Sequence, residues 1–167
     1  MATVLSIIAP QDFQAIEYGN SKAALEAAGH TVVTGCSEPM AIDKQGNQQK
    51  VDVLLDEANT DDYDAILFVG GPGCAAYFED STAHRLARDF HGAGKLTAAI
   101  CAAPSILANA GLLEGKTCTC FPSQADHLKS KGARVTGKNV EIDGIIVTGN
   151  GPPAAKAFGQ AIAKLLG

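Results

Sequence analysis

The sequence predicts an α/β sandwich, a mainly parallel sheet with helices on both faces. Three observations predict it. Short β-branched apolar runs alternate with helical stretches from end to end, the connections are short, and no linker, repeat or low-complexity stretch breaks the alternation. Parallel strands need crossover connections and are buried on both faces, so this alternation specifies a covered parallel sheet. At 167 residues the chain is one domain, large enough to bury its own core. Alanine and glycine are abundant and tryptophan is absent, which suits close packing of helices on a sheet.

Taken in order, residues 3–9 read as a buried strand, 13–28 as a helix ended by Gly29, and 31–34 as the next strand. Residues 41–55 hold two alternating runs around Gln45-Gly46-Asn47 and read as a hairpin. A central apolar strand at 65–69 is stopped by Gly70-Gly71-Pro72-Gly73. Helical spacing covers 80–91, with Asp80 or Ser81 as its cap. Residues 97–100 form another buried strand and 104–110 the helix after it. A second hairpin pairs 140–142 with 145–148 around Asp143-Gly144, and a helix at 152–166 closes the chain.

Composition excludes several function classes. A net charge of −5 argues against a nucleic-acid surface, and scattered basic residues such as Lys129 and Lys131 read as a solvated face. No apolar run approaches the roughly 20 residues of a membrane helix. The amino-terminal TVLSIIAP is too short for a signal sequence and lacks a basic flank, so a cytoplasmic location with reduced thiols is expected. The five cysteines make an odd count without framework spacing. Cys118 and Cys120 alternate like two positions on one face of a strand and have no second pair, so no metal site is expected.

Ligands of such sheets bind at the carboxyl ends of the strands. That rule selects the loops at 9–14, 70–74, 101–104 and 149–153. In the third, the stretch TAAICAAPS puts Cys101 at the end of an apolar strand, three residues before Pro104, a residue suited to a first helical turn. So sharp a strand-to-helix turn has the geometry of a nucleophile elbow, which needs small neighbours, and Ala99, Ala102 and Ala103 supply them. The positive end of the helix dipole would lower the pKa of a thiol placed there and raise its thiolate fraction. The competing reading is an ordinary buried core cysteine.

The loop at 70–73 also admits more than one reading. Gly71-x-Gly73-x-x-Ala76 is a poor dinucleotide fingerprint: it follows a mid-chain strand, Pro72 removes an N–H, and no acid stands at the ribose distance. A tight turn offering N–H groups to a developing oxyanion, together with the Ala102 N–H, fits better, and a plain turn is the alternative. Glu17 begins the first helix directly after the first strand and can reach the same sheet edge. Beside a thiolate its carboxyl would be pushed toward the protonated form and could shuttle protons; otherwise it is a solvated helix acid.

The stretch AAICAAPSILANAGLLEGK, the earlier AILFVGGPG, EYGNSKAALEAAG and the ending DGIIVTGNGPPAAKAFGQAIAKLL together resemble the ThiJ/PfpI superfamily, the family of the Parkinson-linked protein deglycase. The match runs from the first strand to the last helix, as a single domain over 1–167. The resemblance implies a flavodoxin-like three-layer sandwich, usually a homodimer, with no cofactor. It makes Cys101 the nucleophile, Glu17 its acidic partner, and the Gly71 and Ala102 N–H groups the oxyanion hole. The implied chemistry is that of a glyoxalase or deglycase acting on methylglyoxal or related small carbonyls through a Cys101 hemithioacetal. A redox-responsive stress protein or chaperone whose Cys101 becomes a sulfinate, and an isocyanide-hydratase-like enzyme, are the alternatives.

Departures from the family pattern narrow this. Peptidase-like members carry histidine where this chain has Ala102, which discounts a protease. Phe121 stands where other members place a histidine, and Asn150 where some have arginine. His127 either swings into the site or is a surface residue on a short helix. Cys74 either approaches Cys101 as a resolving thiol or packs against the next helix. His30, His84 and His91 are assigned no role.

Overall fold

The computed structural model describes residues 1–167. The chain runs β1 (Thr3–Ile7), α1 (Ala15–Ala27), β2 (Thr31–Cys36), a hairpin of β3 (Met40–Ile42) and β4 (Gln48–Lys50), then β5 (Val53–Leu54) and β6 (Ala65–Phe68). There follow a 3-10 turn (Pro72–Tyr77), α2 (Ser81–Gly92), β7 (Leu96–Ile100), α3 (Pro104–Asn109), β8 (Thr117–Cys118) and α4 (Ala125–Ser130). The chain ends with β9 (Arg134–Val135), β10 (Val140–Asp143), β11 (Ile146–Gly149) and α5 (Ala155–Leu166).

Seven strands form the main sheet in the order β10-β11-β7-β6-β1-β2-β5, parallel except for the antiparallel pair β10 and β11. Every residue of β6, β7 and β11 is buried, as a sheet covered on both faces requires. In α2 the buried residues Ala83, Leu86, Ala87 and Phe90 recur at helical spacing, and α2 packs on β6, β7 and α3. The other layer is α1 against α5, with α5 over β7 and β11. Their close approach depends on Gly159, where an added Cβ would stand 2.9 Å from both the Ala24 Cβ and the Ser21 Cα. Gln14 caps α1 by accepting from the Ile16 N–H at 3.2 Å, and Asp80, rather than Ser81, caps α2 by accepting from Ala83 N–H at 2.8 Å.

Strand β1 leads through α1 to β2 on one side, while β6 leads through α2 to β7 on the other. The strand order therefore reverses between β1 and β6, and a crevice opens there at the carboxyl ends. Its walls come from the loops that begin at Ala9, Val69 and Cys101.

Local expectations needed three revisions. The hairpin expected over 41–55 is split: β3 pairs with β4, but Val53 and Leu54 pair in parallel with Gly35 and Cys36. The free edge of β2 recruits them, and Asp52 secures the junction by accepting from the Thr34 N–H at 2.9 Å. Phe13 and Gln14 precede the first helix, because Phe13 bridges to Asp43 and Gln14 is the cap. The alternation around Cys118 and Cys120 yields a strand of two residues only, which pairs with β9.

Candidate active site

Cys101 directly follows β7 with φ +67°, one of two non-glycine residues in the chain with positive φ. An L-residue holds this left-handed conformation only when its surroundings enforce it. Here the Cys101 N–H donates to Gly149 O at 2.9 Å, and its carbonyl accepts from the Phe121 N–H at 2.7 Å. The turn then closes through Ala103 N–H to Ile100 O at 3.1 Å, and Pro104 opens α3. The backbone is clamped from both flanks, with the sulfur at the floor of a pocket.

Glu17 reaches this sulfur from α1 and is fully buried. Its Oε1 accepts the Gly70 N–H at 2.9 Å, its Oε2 is buried with no partner of good geometry, and the carboxyl lies within hydrogen-bonding range of the Cys101 thiol. Gly70 is the pivot of the arrangement. A Cβ there would stand 2.6 Å from the Cys101 Cβ and 2.7 Å from Glu17 Oε1. The next glycines close the loop onto the segment after β1. Gln14 N–H donates to Gly70 O at 3.0 Å and Gly73 N–H to Asp12 O at 3.2 Å, while a Cβ on Gly73 would collide with Gln11 O. Asp12, the other residue of positive φ, lies in that segment.

Burial pushes the Glu17 carboxyl up to about 7, against the opposite pull of the Cys101 contact, the Gly70 N–H and the Lys44 charge. Burial, then the Glu17 charge and hydrogen bond, push the Cys101 thiol up to about 12, while the Gly71 and Ala102 N–H groups favour the thiolate. This reverses the lowering expected from the helix dipole. α3 has only six residues, and desolvation outweighs whatever its first turn offers. The two groups are a coupled pair: it gives up one proton near neutrality and holds the second tightly.

The pocket above the sulfur has a volume of about 420 Å³. Gly71 and Ala102 line it, as does Phe121, which is 42% exposed at the rim. Three expected accessory residues stand apart from it. His127 is on α4 and bonds Asn109 Oδ1 through Nε2 at 2.6 Å, and Asn150 pairs with Asn139 across β10 and β11. Cys74 is buried in the 3-10 turn, its thiol pushed up to about 12 by burial and by the Cys101 and Glu17 charges. All five cysteines are free thiols. No group of three or more His, Cys, Asp or Glu side chains is placed to hold a metal ion.

Gln14, the end of the expected loop at 9–14, lines the pocket; sequence reasoning missed Lys44, Gln124 and Phe78, which line it too. Lys44 belongs to the β3–β4 turn, which is bound to the segment after β1 through Ile42 N–H to Pro10 O at 3.0 Å and Lys44 N–H to Phe13 O at 3.1 Å. Gln124 is held by Ser105, whose hydroxyl donates to Oε1 at 2.6 Å. The one local signal for Lys44 was the Asp43-to-Asn47 turn itself; nothing nearby in sequence announces where that turn docks.

The family model described as the DJ-1/PfpI family matches residues 2–165. An uncharacterized protein of Methanocaldococcus jannaschii is 34% identical, over 99% of this chain and 82% of its own length. An uncharacterized protein of Staphylococcus aureus is 35% identical, over 99% of each chain. Among solved structures, a ThiJ/PfpI domain protein from Brachyspira murdochii is similar with a TM-score of 0.95 at 33% identity, over 98% of this chain and 95% of that one. Drosophila melanogaster DJ-1beta is similar with a TM-score of 0.90 at 31% identity, over 98% and 89%.

Proposed function

Because the chain belongs to the DJ-1/PfpI family, we propose that it is a cysteine-dependent enzyme of the glyoxalase or deglycase type, acting on methylglyoxal or related reactive carbonyls. One observation carries the reading. A fully buried carboxyl, pushed up to about 7, lies within hydrogen-bonding range of a thiol on a left-handed elbow beneath an open pocket. A group poised near neutrality can both take and return a proton.

In the proposed reaction the Cys101 thiol passes its proton to the Glu17 carboxylate as the sulfur attacks the aldehyde carbon. The N–H groups of Gly71 and Ala102, which favour the charged sulfur in the free protein, follow the charge onto the oxygen. Glu17 returns that proton to the oxygen, which gives the hemithioacetal and restores the carboxylate. Glu17 removes the proton from the former aldehyde carbon and delivers it to the adjacent carbonyl carbon while the hydroxyl proton passes to the neighbouring oxygen, leaving a thioester of the hydroxy acid. Water hydrolyses the thioester, so methylglyoxal and water yield lactate and the free thiol returns. With Ala102 after the nucleophile and His127 bonded elsewhere, Glu17 carries the proton transfers without a histidine. We read the protein as a cytoplasmic homodimer, in keeping with the family and its five unpaired thiols.

The test follows methylglyoxal consumption and lactate formation by wild type, Cys101→Ala and Glu17→Gln. Turnover by wild type that both substitutions abolish supports the assignment. No turnover by wild type with Cys101 reduced, as verified by intact mass, overturns it and leaves sulfinate formation at Cys101 as the role to pursue.

A further inference from the structure

We propose that Lys44 is the anion-recognising residue of the pocket and that the natural substrate is an α-oxoaldehyde bearing a carboxylate at its far end. This rests on the reading that Cys101 adds to a carbonyl, and deepens it by naming the substrate class. Four observations carry it.

Lys44 lines the same pocket as Cys101 and is the one charged side chain among its lining residues. It makes no ion-pair contact: the two in the chain are Lys22 with Glu26 and Arg85 with Asp89, and Glu17 feels the Lys44 charge without touching it. Its backbone is fixed, because its N–H is bound to Phe13 O and the turn is tied down by Asp43 accepting from the Gln45 and Asn47 N–H groups at 2.8 and 3.0 Å. The pocket, at about 420 Å³, is several times the bulk of a three-carbon oxoaldehyde and is in the range that encloses larger ligands.

Elsewhere the lining is uncharged, with Pro72, Ala75, Phe78, Phe121 and Pro152 beside the amides of Gln14 and Gln124. Lys44 is exposed at the edge of this wall, so its ammonium is free to meet a single negative charge joined to a short carbon chain. Glu17 does not fill that role, since it is buried behind the sulfur and holds its proton up to about 7.

The probe compound is 4,5-dioxopentanoate. Its aldehyde carbon is oxidised to a carboxylate as its ketone is reduced to an alcohol, and with one water the product is 2-hydroxyglutarate, so no external oxidant or reductant is needed.

Two measurements separate this proposal from the one beneath it. The first needs no turnover: the rate of Cys101 alkylation by iodoacetate relative to neutral iodoacetamide, followed by intact mass. In each case the sulfur displaces iodide and its proton leaves to Glu17 or solvent. The ratio should fall about fivefold in Lys44→Met, the scale of one part-exposed ion pair, and hold in Lys44→Arg. High salt should lower it in wild type and in Lys44→Arg, and leave it unchanged in Lys44→Met. A ratio unchanged in Lys44→Met overturns the assignment. The second compares kcat/KM for 4,5-dioxopentanoate and methylglyoxal in wild type. A preference for the former that Lys44→Met removes supports the substrate class, and no preference overturns it. If the alkylation ratio falls but neither carbonyl is consumed, the anion site stands and the carbonyl reading beneath it fails.

Discussion

Gly70 and Glu17 are joined in two ways: the Gly70 N–H donates to Glu17 Oε1 at 2.9 Å, and the Cβ that Gly70 lacks would stand 2.7 Å from that same oxygen. The carboxyl therefore occupies space that any other residue would fill, with the Cys101 Cβ on the same side at 2.6 Å from the hypothetical atom. Glycine at 70 is required by its neighbours and not by its own backbone angles.

Gly70→Ala should therefore fold less stably and separate the pair. Overpacking of a well-filled site costs about 1–3 kcal/mol. In a chain of this size each kcal/mol lowers the melting temperature by about 2–4 °C. Differential scanning calorimetry checks the stability, and iodoacetamide labelling checks whether Cys101 has moved. A variant with wild-type melting and wild-type labelling would show that the contact relaxes freely.

The weakened acidity of Glu17, with its pKa pushed up to about 7, makes stability depend on pH with a definite sign. A carboxyl that binds its proton more tightly folded than unfolded contributes stability below the unfolded value of 4.5, and loses it as pH rises through about 7. The shift corresponds to about 3 kcal/mol. Glu17→Gln keeps the shape without the charge, so its stability relative to wild type should rise across that window by up to this amount. Urea unfolding of both proteins at intervals from pH 4 to 8 measures it. A constant difference between them would mean that Glu17 is charged without penalty.

Reactivity of Cys101 should follow the same group. The pair has a removable proton above about 7, when the Glu17 carboxylate can accept the thiol proton as the sulfur attacks. Alkylation of wild type by iodoacetamide should climb through neutrality and level off. Glu17→Gln should lose that inflection and show a single later rise, set by burial of the thiol once the Glu17 charge that also raises it is gone. Identical profiles in the two proteins would remove Glu17 from the chemistry of the sulfur.

The unequal legibility of the site has physical reasons. The elbow could be read because TAAI, Cys101 and the Ala-Ala-Pro that follows are contiguous, so strand end, turn and helix start are all local signals. The glycine loop was legible for the same reason. Glu17 could be anticipated at the right sheet edge because it opens the helix after β1. Lys44 could not, since its position depends on hydrogen bonds to Pro10 and Phe13, about thirty residues away in the chain. Val53 and Leu54 likewise looked like half of a hairpin until the open edge of β2 claimed them. The acidity of Cys101 was misjudged because a helix start is visible locally, whereas burial is the sum of many distant contacts.

The elbow itself stores strain, and this leads to a reversal of an ordinary rule. Cys101 holds φ +67°, where a side chain is disfavoured by about 1–2 kcal/mol and glycine is not. Elsewhere in a strand end or helix start, glycine is the less stable choice than alanine by about 0.5–1 kcal/mol, because it gains more freedom on unfolding. At position 101 the relief of strain opposes and exceeds that loss. Cys101→Gly should therefore be at least as stable as Cys101→Ala, although both lack the thiol. Comparing their denaturant midpoints at equal slope makes the test independent of activity. If Cys101→Ala is the more stable by the usual margin, the clamps from Gly149 and Phe121 do not hold the residue in a strained state, and the elbow is an ordinary turn.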